Sequence, residues 1–237
     1  MYGGYYYGFD WTYVLVLIGA VICMIASANV NSTFKRYSGQ RSMTGMTGAQ
    51  AALRILNHAG IYDVTIQHIS GQLTDNYNPT NKTLNLSDAV YNATSVAAIG
   101  VAAHECGHAI QHQQGYAPLN IRAAIVPAAN IGSKLAWPLI LIGLFITSDT
   151  GILFINIGII AFSLAVIFQL VTLPVEFNAS SRALSLLEKC GILSERELPA
   201  TKKVLSAAAL TYVASAASGI LQLLRLILLT SNRRRRD

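Results

Sequence analysis

His104, Glu105, Cys106, Gly107 and His108 form an H-E-x-x-H sequence. On a helix, two histidines four residues apart lie on one face, with their Cβ atoms about 5–6 Å apart. That spacing lets both imidazoles reach one zinc ion. It also places Glu105 beside the metal's open position, where a carboxylate takes a proton from activated water. The chain holds only five His and five Glu in 237 residues, so composition alone does not produce the pattern. Residues 94–103 are small and apolar and predict the helix that carries the motif; residues 109–111 continue it, and Gly115 and Pro118 end it. Cys106, two residues from His104, points away from the metal and reads as a buried small residue.

A catalytic zinc needs a third protein ligand. His112 continues the same helical face, but eight residues span about 12 Å along a helix axis, too far to share an ion with His104. His112 therefore reads as a cap or a group behind the ligands. The metzincin pattern fails, because Gln111 and Gln114 stand where it needs Gly and His. His58, in a last helical turn, and His68, in an alternating strand, fit ordinary structural roles better than ligation. Glu188, Glu195 and Glu197 belong to a charged, solvated loop. Glu176 instead follows a long apolar run at once, where a carboxylate is costly unless paired or on a metal. Glu176 is the expected third ligand; the competing reading is an interfacial Glu paired with Arg182.

Hydrophobic residues make up 53% of the chain and charged residues 12%, about half the charge of a soluble domain. Apolar runs at 11–28, 131–147 and 152–173 predict membrane helices, the last the clearest and the second the weakest. The residues before the first run contain no Lys or Arg, which argues against a signal peptide. Tyr2, Tyr5, Tyr6, Tyr7, Trp11 and Tyr13 read either as an interfacial aromatic belt or as a sticky tail. Three scattered cysteines make no disulfide framework. The net charge of +6, ending in an arginine run at 233–236, suits anionic lipid rather than nucleic acid.

Between the first run and the zinc motif, Thr47 predicts an N-cap for a helix over 49–58, with Ala52, Leu53, Ile55 and Leu56 as its apolar face. Strands are expected at 63–69, 73–77 and 82–86, the last two joined by the turn Asn78-Pro79-Thr80-Asn81. The expected fold class is mainly α: integral membrane helices with a small α+β catalytic domain of gluzincin type, a short sheet plus the H-E-x-x-H helix. Its segments are a tail and first membrane helix at 1–30, the helix, sheet and zinc-motif part at 31–118, a membrane-adjacent helix and membrane hairpin at 119–174, a third-ligand helix and loop at 175–203, and a C-terminal apolar helix and basic tail at 204–237.

These residues carry a resemblance. His104-Glu105-x-x-His108, followed after a membrane hairpin by Glu176-Phe177-Asn178-Ala179-Ser180-Ser181-Arg182, looks like the membrane gluzincins of the HtpX and CAAX-processing types. The turn and strand at 77–87, the helix at 101–112, the segment at 174–184 and residues 210–214 extend this over nearly the whole chain, to the neutral zinc metallopeptidase family typified by YugP. The resemblance implies zinc-dependent hydrolysis of peptides or proteins at a lipid bilayer, with one zinc per chain. In the HtpX pattern an Asp that orients a zinc histidine is expected at Ser180; Asn178 or another polar group takes its place. A substrate would pair with a sheet edge, expected at 82–86, and Tyr212 or Arg182 would supply the oxyanion donor.

An intramembrane site-2-type protease is disfavoured because no span offers an Asp ligand. A non-catalytic zinc scaffold normally needs four protein ligands, and three are visible. Lys35, Arg36, Arg41 and Arg54 follow the first run, so the positive-inside rule predicts a multi-pass cell-membrane protein with a cytoplasmic catalytic domain. Residues 204–230 are expected to pack on that domain or dip into the interface, leaving a cytoplasmic C-terminus.

Overall fold

The structure, a computed structural model, describes residues 10–234. Tyr2, Tyr5, Tyr6, Tyr7 and the end of the arginine run lie outside the described residues. Six helices and three strands follow in the order α1 (Tyr13–Ser38), α2 (Gly48–His58), β1 (Thr65–Ile69), β2 (Asn76–Asn78), β3 (Thr83–Ser87), α3 (Val96–Gln113), α4 (Ala117–Phe145), α5 (Asp149–Lys189) and α6 (Leu198–Arg234). Contacts divide the chain into two units. One comprises the chain up to Met24, Pro127–Ile167 and the residues from Ala214 on; the other comprises Ile25–Val126 and Phe168–Val213.

In the second unit, Thr47 caps α2 through a full capping box with Gln50, and Gly60 ends it at φ +72°. The buried face of α2 is Ala51, Ala52, Ile55 and Leu56, and it packs on α3. Leu53, expected on that face, is exposed, because it lies about 200° around the helix from both Ala51 and Ile55. The sheet order is β1-β3-β2, with β1 parallel and β2 antiparallel to β3. The strand expected to be an open edge, β3, is therefore the centre, hydrogen-bonded on both sides. The edge toward α3 is β2, which starts three residues later than expected because residues 70–75 form a loop.

Helix α3 begins at the Ser95 cap and is covered by protein along most of its length. Two glycines let neighbours approach it closely. A Cβ at Gly107 would lie 2.7 Å from the Ala179 carbonyl oxygen of α5, and one at Gly100 would lie 2.5 Å from Thr201 of α6.

Helix α5 joins the long apolar run to the segment carrying Glu176 without a break, through Pro174. Its 41 residues extend roughly 60 Å, about twice the hydrocarbon thickness of a bilayer. Likewise residues 119–134 and the second apolar run are one helix, α4. In the first unit, α4 and α5 form a tight hairpin: a Cβ at Gly132 would lie 2.5 Å from the Ala161 carbonyl oxygen. There α6 runs antiparallel to α1, with Cys23 Sγ 3.6 Å from the Ala214 carbonyl, Gly19 against Ser218, and Arg225 4.0 Å from the Tyr13 ring centroid.

Among the described residues, α1, α4, α5 and α6 are long and apolar enough to cross a membrane. Only 11% of the most apolar stretch of α1 is buried by protein. Large apolar side chains such as Leu17, Phe145 and Ile160 face outward, as a lipid-facing surface requires.

Candidate metal centre

Helix α3 presents His104 and His108 on one face, their ring centroids 4.8 Å apart and nearly perpendicular. From α5, Glu176 Oε2 stands 3.2 Å from His104 Nε2 and 3.6 Å from His108 Nε2. All three ligand atoms lie within 4.8 Å of one another. Tetrahedral bonds of about 2.0–2.1 Å separate neighbouring ligand atoms by roughly 3.3 Å, which the two Glu176 separations of 3.2 and 3.6 Å match, while the widest pair would have to close by about 1 Å around a zinc ion. Glu176 is 2% exposed, and its second oxygen, Oε1, lies 3.4 Å from Arg122 Nη1. One carboxylate oxygen therefore faces the histidines and the other faces a guanidinium.

The outer nitrogens of both imidazoles are engaged. Gln111, fully buried, donates through Nε2 to the Val175 carbonyl and to Asn178 Oδ1, both at 2.9 Å. Its Oε1 is left as the acceptor facing His108 Nδ1 at 3.0 Å. That fixes the proton of His108 on Nδ1 and leaves Nε2 free for a metal. Asn178 Oδ1 also accepts from Arg182 Nε at 2.7 Å, so Arg182, Asn178, Gln111 and His108 form one chain. Ser180 Oγ lies 3.1 Å from His104 Nδ1. The serine thus occupies, as a neutral hydroxyl, the place where a carboxylate was expected.

Glu105 is buried, and it lines two adjoining cavities together with Asp75, Glu176 and Tyr212. Burial pushes its carboxyl pKa up, partly offset by the charges of the two histidines. For His108, burial lowers proton affinity, but the hydrogen bond to Glu176 and the charge of Glu105 more than offset this, and its pKa is raised above 6.5.

Other expected residues fall elsewhere. Arg182 lines a separate cavity with Gln114 and Lys189, and it bonds Gln114 Oε1 at 2.6 Å. It therefore reaches the centre only through Asn178; the guanidinium beside Glu176 belongs to Arg122. His112 bonds the Tyr77 hydroxyl at 2.9 Å, His68 bonds Asp88 at 2.7 Å, and His58 sits in the exposed last turn of α2.

Sequence reasoning missed Gln111, Arg122 and Asp75. The i, i+3 spacing of Gln111 from His108 was a usable signal. Arg122 offered none, because α4 reaches the centre only through the tertiary fold. Asp75 accepts from Ser87 N at 2.7 Å and from Ser87 Oγ at 2.9 Å, pinning the entry to β2 against the end of β3.

The family model described as "putative neutral zinc metallopeptidase" matches residues 12–231. A protein of Bacillus subtilis (strain 168) named "Putative membrane protease YugP" is 46% identical over 209 residues, covering 88% of this chain and 92% of that protein. No solved structure matches the chain. A match over nearly the full length, on a chain with four helices apolar enough for a bilayer, places it at a membrane and makes it a member of the neutral zinc metallopeptidase family.

Proposed function

We propose that the protein is a membrane-bound, zinc-dependent endopeptidase. The observation that carries this reading is the convergence of His104 Nε2, His108 Nε2 and Glu176 Oε2, with Glu105 beside them in an open cleft. These three residues would hold a zinc ion, which would supply Lewis-acid activation of water. Glu105 takes the proton of that water and delivers it to the departing amine. Arg122 neutralises the far oxygen of Glu176, Gln111 keeps His108 in the ligating tautomer, and Ser180 bonds the outer nitrogen of His104. Tyr212 and Arg122, which line the cleft, are the donors available to the developing oxyanion; Arg182 faces another cavity. The substrate's main chain pairs with β2, whose Asn76 and Tyr77 line the cleft, rather than with β3.

Glu105→Gln tests the chemistry. Zinc content should be unchanged while cleavage of a peptide substrate falls by about 10²–10⁴-fold. Undiminished turnover would remove Glu105 as the base.

The antiparallel run of α6 along α1 supports a fourth span in place of the expected cytoplasmic C-terminus. The start of α1 and the end of α6 then share one face of the membrane, and the catalytic part lies on the other, cytoplasmic side that Lys35, Arg36, Arg41 and Arg54 mark, at the cost of an arginine run on the outer face. In a background without native cysteines, an impermeant thiol reagent on intact cells should label a cysteine at 231 and spare one at 32. The reverse pattern would invert this topology.

A further inference from the structure

Leu73 holds φ +54°, a left-handed backbone conformation in which a bulky side chain is unfavourable. It is also 37% exposed, so it adds little to the core. The loop around it is pinned: Gly71 N donates to Asp88 Oδ2 at 2.9 Å, Thr74 Oγ1 donates to the Ser70 carbonyl at 3.2 Å, and Asp75 is held by Ser87. For folding alone, Gly or Asn would serve better at this position. Leucine there points to a use outside the core.

That use is visible in the cleft. A cavity of about 230 Å³ is lined on its apolar side by Leu73, Val30, Val101, Leu205, Ala208 and Ala209. It shares Asp75, Glu105, Glu176 and Tyr212 with a second cavity of about 300 Å³, whose other walls include Asn76, Tyr77 and Arg122. The centre thus lies between two mainly apolar halves, one walled by β2 and α4 and the other by Leu73 and α6. Two small residues of α6, Ala208 and Ala209, line that second, apolar half together with Leu73.

We propose that this apolar half is a recognition subsite for a large apolar side chain next to the bond that is cleaved. The proposal rests on the peptidase reading above and specifies its substrate class: extended segments carrying Leu- or Phe-like residues. Leu73 closes over such a side chain and is held in place for that purpose at a cost to its own backbone.

Binding to the zinc-loaded Glu105→Gln protein in detergent separates the subsite from the chemistry. The probes are fluorescein-labelled ten-residue peptides of Ser and Gly with one central Leu, Phe or Gly, read by anisotropy. Leu and Phe peptides should bind about tenfold tighter than the Gly peptide, the value of burying one such side chain. Leu73→Gly should erase that preference without lowering the melting temperature, since glycine adopts the positive φ freely. Ala208→Leu, which fills the space from the other wall, should erase it as well. Equal binding of all three peptides, or a preference that survives both variants, overturns the proposal. Preference intact in Glu105→Gln, with no cleavage of the bound Leu or Phe peptide by the native chain, supports the subsite and counts against the peptidase reading.

Discussion

Helices α3 and α1 are both rich in apolar residues, yet one is wrapped by protein and the other is nearly bare. Ala97, Ala98, Ile99, Ala102, Ala103 and Ala109 of α3 are buried to within 2%. Leu17, Met24 and Ile25 of α1 are more than 60% exposed. The difference is side-chain size. Alanine and glycine let backbones close on α3 from several sides, whereas the large residues of α1 present an outer surface suited to lipid. The same device appears in the α4–α5 hairpin, where Gly132 meets the Ala161 carbonyl, but there it joins apolar surfaces only. Where Gly107 meets Ala179, the close approach sets the distance between two histidines and a glutamate. Close packing thus serves bundling in one region and ligand geometry in the other.

Paired substitutions can break this comparison. Gly107→Val forces apart the turn of α3 that carries His104 and His108 and the turn of α5 that carries Glu176 and Ser180. Zinc per folded chain, by metal analysis, should drop to near zero. Gly132→Val should instead lower the melting temperature, with overpacking costing about 1–3 kcal/mol, and leave zinc content intact. Loss of zinc in both variants would mean that the hairpin also sets the centre.

A smaller effect is expected within the candidate metal centre. Gln111→Leu keeps the volume but removes the acceptor behind His108 and the donor to Val175 and Asn178. Zinc affinity should fall 10–100-fold, as is typical when the outer partner of a ligand is lost. Competition with a chromogenic chelator measures this; unchanged affinity would show that packing alone orients His108.

The smallest effect is on pH dependence. Protons compete with metal at His108, and its raised pKa means the competition starts above 6.5 as pH falls. Apparent zinc affinity should decline between pH 8 and pH 6, and more steeply than for a free imidazole over the upper part of that range. A profile no steeper than that of a free imidazole would remove the influence of Glu176 and Glu105 on this histidine.

Short-range regularities made much of this protein legible in its sequence. A helical repeat puts His104 and His108 on one face, and long uncharged runs can only be satisfied in a bilayer. Thr47 with Gln50, and Gly60 beyond them, bracket α2 through local hydrogen bonds and a positive φ. Even Glu176 could be singled out, because a carboxylate beside an apolar span needs a partner. The tertiary structure alone decided who those partners are. Arg122 rather than Arg182 faces Glu176, because α4 passes over the centre, whereas Arg182, six residues after Glu176, lies roughly 240° further round α5. β2 rather than β3 became the strand at the cleft, because parallel pairing of β1 with β3 is a long-range choice that strand patterns do not encode. Ser180 and Gln111 acquired their roles only when α3 and α5 closed to backbone contact at Gly107.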